Sequence, residues 1–355
     1  MSLLRFGSDT LAARTLKELE KGPNLLERLA AAIGVPEAER PARLAGARRR
    51  ATLALEDAAR QDIAALPWYD AAYPTALREI CDPPVVLWCR GAAACLSLPA
   101  VAVVGSRRAT PAGLSIARAL GRGLAEAGLL VVSGLARGVD GAAHEGALEA
   151  RGSTAAVLGC GADVLYPPEH GRLAERIRES GLIASEFPPG MPPLPHHFPL
   201  RNRIISGLCR AVVVIEASHR SGSLITARSA LEQGRDVLAV PGNVASGRSS
   251  GCHALIKDGA ALVETVEDVL NELGWPQRGA GPPVSVVNPL LLSQLEVVMA
   301  LGETYSVDDL AQRTGLPAAI LLAELGALEI AGRVTRFPGG DFAKLDKSAI
   351  GEGDG

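Results

Sequence analysis

The chain has 355 residues, is 48% hydrophobic and carries a formal net charge of −3. That length suits two or three domains, and the hydrophobic fraction excludes global disorder. The slight negative charge argues mildly against indiscriminate attraction to nucleic acid. With 3% aromatic residues a long base-stacking platform is not expected either, so any nucleic-acid site must be a focused arginine cluster that grips the backbone.

Residues 1–65 are Ala/Leu/Arg-rich and broken at Gly22-Pro23 and Gly34-Val35-Pro36, which predicts a small helical module of SAM-like or helix-hairpin-helix-like type. Within it, Arg48-Arg49-Arg50 could touch phosphate, but a basic run on a helix is usually a solvated face. Residues 66–98 are irregular, with Pro67, Pro74, Pro83-Pro84 and the apolar run Val85-Val86-Leu87-Trp88; they read as a strand-bearing lead-in to a domain that ends near 275. From 99 to 275, short apolar strands at 100–104, 129–133, 154–159, 182–185, 211–216 and 237–240 alternate with helices near 111–127, 140–151, 169–180, 201–209, 223–233 and 252–258. Such alternation predicts an α/β fold, a parallel sheet with helices on both faces and ligands at the carboxyl ends of its strands. Residues 276–289 read as a Pro/Gly-rich linker. A third module at 290–345 has a helix near 290–301, another near 307–313, a turn at Gly315-Leu316-Pro317, a third helix to about 330 and a short strand pair from Arg333, the order of a winged helix. The tail, 346–355, reads as disordered.

The six cysteines, Cys81, Cys89, Cys95, Cys160, Cys209 and Cys252, lack CxxC spacing and read as reduced thiols of a cytosolic protein. No secretory signal and no membrane span is expected.

The strand exits carry the chemistry. Gly105-Ser106-Arg107 ends the first strand, where backbone N–H groups, a helix N-terminus and a guanidinium converge on an anion-friendly spot. The later exits repeat the pattern. They are Ser133-Gly134 with Arg137 and Asp140; Gly159-Cys160-Gly161 with Tyr166-Pro167; Ser185-Glu186 with Phe198 and Arg201-Asn202-Arg203; Glu216 with Ser221-Gly222-Ser223; and Pro241-Gly242 with Ser249-Ser250-Gly251. Several such turns on one sheet edge point to an extended surface for the phosphodiester backbone of single-stranded DNA rather than a small nucleotide.

Plainer roles suit some of these residues. Asp140 reads as the cap of the helix that follows it. His144 reads as a packed or hydrogen-bonded core histidine, and His196-His197 has no metal-ligand spacing. Glu216 could be a general base or could accept bonds from Ser223 or backbone amides. No GxxxxGKS or GxxxxGKT loop, no Gly-x-Ser-x-Gly elbow and no paired carboxylates occur, so no catalytic residue, metal or cofactor is expected.

Taken together and in order, these stretches resemble the DNA-processing protein A family (DprA, also called Smf) across essentially all of 100–263, and more weakly in the lead-in and the C-terminal module. The resemblance implies an extended Rossmann-like domain, homodimers, single-stranded DNA binding and loading of RecA recombinase during natural transformation. By its pattern Arg107, Arg201 and Arg203 contact phosphates and Gly105 and Ser106 line the pocket; Arg137, Asn202, Ser221, Gly222 and Ser223 complete the expected set. Ala112-Gly113 stands where the family often has Tyr-Gly, and His253 where Asn is usual. A rival reading is an enzyme resembling nucleoside-monophosphate phosphoribohydrolases, whose PGGxGTxxE signature is absent here; a pure scaffold is a third.

The third helix of the C-terminal module, 318–329, carries two acids and no base, whereas a recognition helix needs Arg, Lys, Asn or Gln facing the major groove. The module is therefore expected to make protein or intramolecular contacts. The isolated 288–345 fragment should not retain duplex DNA on a filter; retention would refute this.

Overall fold

Each apolar run between Ala100 and Ala239 is buried on both faces, and that burial, worth about 1.5–3 kcal/mol for each large side chain, selects a central strand over a helix. The computed structural model describes residues 35–275, 299, 303–314, 321, 325, 328–329, 333–337 and 341–344. They fall into two compact units divided after Trp275.

The first unit is built on a nine-stranded sheet. Its strands are β1 (Ala64–Pro67), β2 (Val86–Gly91), β3 (Ala100–Gly105), β4 (Leu130–Ser133), β5 (Thr154–Leu158), β6 (Leu182–Ser185), β7 (Ala211–Ile215), β8 (Asp236–Ala239) and β9 (Ala261–Leu262), in the spatial order β1-β2-β6-β5-β4-β3-β7-β8-β9. The seven strands from β6 to β9 in that order are parallel, as alternation predicts. The lead-in adds β1 and β2, both antiparallel to their neighbours, on the β6 edge.

The α-helices that connect or flank the strands are α1 (Arg40–Arg60), α2 (Thr75–Arg78), α3 (Pro111–Glu126), α4 (Val139–Glu149), α5 (Gly171–Ser180), α6 (His197–Gly207), α7 (Ser223–Glu232), α8 (Ser250–Lys257) and α9 (Val266–Glu272) in the first unit, and α10 (Val307–Thr314) in the second. One sheet face packs Ala102, Val104 and Val132 against Ile204 and Ile205 of α6 and Ala227 of α7. The other packs Val101, Val103 and Val131 against Leu120 of α3, Ala143 of α4 and Val269 of α9. Toward β5 and β6 a third cluster joins Ile177 of α5 to Ala58 of α1, so the helix within the predicted N-terminal module shares a core with the sheet. No described helix is long and apolar enough to cross a membrane.

The chain winds from β3 outward to β6, then returns through α6 to β7 on the other side of β3. Strand order therefore reverses between β3 and β7, and a crevice opens at their carboxyl ends. Gly105 makes this junction possible: a β-carbon there would lie 1.9 Å from the Ile215 carbonyl oxygen.

The second unit contains β10 (Thr304–Tyr305), α10, β11 (Val334–Arg336) and β12 (Phe342–Lys344), with sheet order β10-β12-β11. Ser306 and Asp309 form a reciprocal capping box at the start of α10. Leu321, Leu325 and Leu328 share its core with Tyr305 and Phe342. Residues 1–34, the linker 276–289, the helix near 290–301 apart from Met299, the 315–317 turn, most of the third helix and the 346–355 tail lie outside the described residues.

Gly105→Ala should destabilise the first unit by about 2 kcal/mol or more, because backbone rather than a flexible side chain must move. A shift of the denaturation midpoint at unchanged slope tests this.

Candidate nucleic-acid interface

The crevice between β3 and β7 is a cleft of about 690 Å³. Gly105, Ser106, Arg107, Arg201, Asn202 and Ser221-Gly222-Ser223 line it, so the topology gathers eight of the ten residues expected at the site. Arg108 and Arg248 also line it; with Asp140 and Glu216 the lining carries four arginines against two carboxylates.

The β3 exit differs from its sequence reading in one respect. Thr110 caps α3 by accepting from the Gly113 N–H at 3.1 Å. Its own N–H and hydroxyl donate to the Glu216 carboxylate at 2.8 and 2.7 Å. The α3 N-terminus thus already holds an anion, and that anion belongs to the chain. Glu216 follows β7 with φ of +50°, a left-handed conformation that costs roughly 1 kcal/mol outside glycine. A β-carbon at Gly113 would sit 2.3 Å from its Oε2, so glycine there makes room for the carboxylate. Arg248 closes the arrangement: its Nη1 donates to the Arg108 carbonyl at 3.0 Å and lies 3.6 Å from Glu216 Oε1.

Two parts of the cleft remain open to an incoming anion. Arg107 is exposed and has no carboxylate partner among the described residues; its guanidinium lies 5.4 Å from the centre of the Phe198 ring. Tyr166 stands 5.4 Å from Phe198, tilted by 42°. This aromatic pair was visible at two strand exits but not assigned to the site, because low overall aromatic content says nothing about where aromatics cluster. The second part is the N-terminus of α7, which has no acid in its first turn; its leading N–H groups are held locally, Ser223 N by the Ser221 hydroxyl at 3.4 Å and Leu224 N and Ile225 N by the Ser221 and Gly222 carbonyls at 3.1 Å. Ser221 and Ser223 join their hydroxyls at 2.7 Å, and Asn202 reaches the Gly222 carbonyl at 3.4 Å.

Arg201 forms the floor. It is 3% exposed, and its Nη1 donates to the carbonyls of Gly134, at 2.8 Å, and Val157. Burial pushes its pKa down to about 10, which leaves it charged at neutral pH. Asp140 faces the same interior. Burial raises its pKa, opposed by Arg201 and by the N–H groups of Ala136 and Gly134. It does not cap α4; its Oδ2 instead accepts from Gly134 N at 3.1 Å and draws in the β4 exit loop.

Two residues of the expected set are not brought to the cleft. Arg203 points away, paired with Asp82 at 3.0 Å and Glu186 at 2.7 Å, its side chain 14% exposed. Its partners lie up to 121 residues away in sequence, which is why adjacency to Arg201 misled. Arg137 is exposed but ion-paired with Glu169, outside the lining.

His144 is fully buried. Thr154 Oγ1 donates to the Val131 carbonyl, so it accepts from His144 Nδ1–H at 2.7 Å, while Nε2 has no partner. Burial, then the positive neighbours His170 and Arg201, push its pKa down to about 3.

A family model described as DNA recombination-mediator protein A matches residues 64–274, and one described as the DprA winged helix domain matches 288–340. The DNA processing protein DprA of Streptococcus pneumoniae is 51% identical over 203 residues, covering 57% of this chain and 72% of that protein. Protein Smf of Escherichia coli is 43% identical over 276 residues, covering 76% of this chain and 74% of that one. The crystal structure of the S. pneumoniae protein superposes with a TM-score of 0.67 at 42% identity, over 75% of this chain and 93% of that one. The DNA processing protein A of Helicobacter pylori, a single-stranded DNA binder, superposes with a TM-score of 0.54 at 31% identity, over 59% of this chain and 95% of that one.

Keeping His144 neutral stabilises the fold fully above the unfolded value of 6.5 and progressively less as pH falls toward the folded one. Asp140, with its pKa raised, acts in the opposite sense, so a variant is needed to isolate the imidazole. From pH 7 to pH 5 this group should cost the wild type on the order of 2 kcal/mol. In His144→Gln that part of the pH dependence should vanish; an unchanged dependence in denaturant titrations would contradict it. On its sequence, its sheet and its winged-helix match, the chain belongs to the DNA recombination-mediator protein A (DprA/Smf) family.

Proposed function

We propose that the β3/β7 cleft holds the phosphodiester backbone of single-stranded DNA and that the chain acts without catalysing a reaction. The observation that carries this is that Arg107, which has no ion pair among the described residues, and the acid-free N-terminus of α7 line one cleft together with an aromatic pair. A guanidinium and aligned N–H groups suit phosphate oxygens. Phe198 and Tyr166 offer faces on which a base can stack whatever its identity. The single-stranded DNA binding of the H. pylori relative supports the same reading.

The enzyme reading is weaker. Glu216, the carboxylate best placed to act as a base, is engaged by Thr110 and faced by Arg248.

From family membership we further infer that the chain works in the cytoplasm as a homodimer, protects incoming strands and loads RecA recombinase onto them. Sedimentation as a monomer, or strand binding that leaves recombinase filament formation unchanged, would overturn those two parts respectively.

The binding itself is tested by two variants. Arg107→Ala should weaken single-strand binding about tenfold and flatten the salt dependence by about 0.7, one phosphate contact. Arg203→Ala should lower stability by about 3 kcal/mol through two orphaned carboxylates, with the slope unchanged. Equal slopes for Arg107→Ala and wild type would end the cleft assignment.

A further inference from the structure

Helix α1 carries the strongest concentration of charge that the cleft does not use. Its residues 40–50 include five arginines and no carboxylate, on a chain whose net charge is −3. Arg40 is tied to the Val35 carbonyl and Arg43 to Glu39. Arg48, Arg49 and Arg50 are exposed and have no carboxylate partner among the described residues. Successive helical residues turn by about 100°, so three in a row cannot share the packed face. The helix packs through Ala54 and Ala58; Arg50, one turn before Ala54, borders that face, and Arg48 and Arg49 turn away from it. Leu53 and Leu55, 53% and 51% exposed, share that open surface.

The root of α1 is fixed at the same sheet edge as the cleft. Ala58 and Ile63 share a core cluster with Leu135, just past β4, and Leu158, the last residue of β5. Gln61 Nε2 donates to Asp163 Oδ2 at 3.4 Å, and Tyr166 at the cleft mouth lies three residues further on. At 1.5 Å per residue the three arginines stand about 17–20 Å of helix from that anchor. A plain solvated face would need only scattered charge. Three adjacent unneutralised guanidiniums beside exposed leucines, on a helix rooted next to a polyanion cleft, present both a backbone-binding and a base-contacting surface.

We propose that α1 is a second nucleic-acid contact, which takes the part of a single strand that extends beyond the cleft past Tyr166. This rests on the cleft reading above, and it assigns Arg48, Arg49 and Arg50 to successive phosphates.

The test compares Arg48→Gln/Arg49→Gln/Arg50→Gln with wild type and Arg107→Ala in the full-length chain, using oligothymidylates of two lengths at several salt concentrations. A short strand of roughly 4–6 nucleotides fills only the cleft; one of roughly 16 or more reaches past it. The triple variant should bind the short strand as wild type does, which also shows that it folds. On the long strand it should lose about tenfold in affinity, with the salt slope flatter by about 2, three single-strand phosphate contacts. Long-strand affinity and slope equal to wild type would overturn the proposal and leave the arginines to an acidic protein partner. Equal loss on both lengths would overturn it too, because α1 would then be part of the cleft. If Arg107→Ala changes nothing at either length while the triple variant loses long-strand binding, the cleft reading fails and α1 stands as an independent site.

Discussion

The parallel pairing of β3 with β7 is the constraint on which the site depends. Strand order reverses there, so helices leave in opposite directions and the carboxyl ends part. The junction is tight enough to require glycine at 105 and open enough, a few residues on, to leave a cleft. Glu216 stabilises this opening. Its carboxylate satisfies the α3 cap from the β7 side, so the two halves of the sheet are joined across the gap by side-chain bonds as well as by the strand ladder.

That arrangement divides the anion-binding capacity of the edge. The N-terminus of α3 is spent on an internal carboxylate, while that of α7 has no acid in its first turn. Arg201 is buried and shapes the floor by bonding the Gly134 carbonyl of the β4 exit and the Val157 carbonyl of β5; Arg107 stands exposed with no ion pair among the described residues. The proposed binding of a long, uniform polyanion would benefit from this division, with a rigid charged base and an exposed lip.

Much of this was legible in the chain. The six predicted strands all form, within one or two residues of their expected ends, because uniform apolar runs between glycine-rich exits leave few alternatives. The antiparallel strands β1 and β2 were only half visible: Pro67 and Pro83-Pro84 mask a pairing that comes from the β6 edge rather than from local pattern. The site was legible as a set of turns but not as a set of free charges. Nothing local distinguishes Arg203, neutralised by Asp82 and Glu186, from Arg107, which is not. The aromatic pair and Arg248 were missed because they converge from three separate segments, the loop after β5, the first turn of α6 and the loop before α8.

Amide hydrogen exchange with and without a saturating oligothymidylate tests the central claim most directly. The account requires slowed exchange in 105–109, 198–202 and 221–226, the segments that line the β3/β7 opening. Protection at the amino-terminal ends of the strands, with those three segments unchanged, would contradict it.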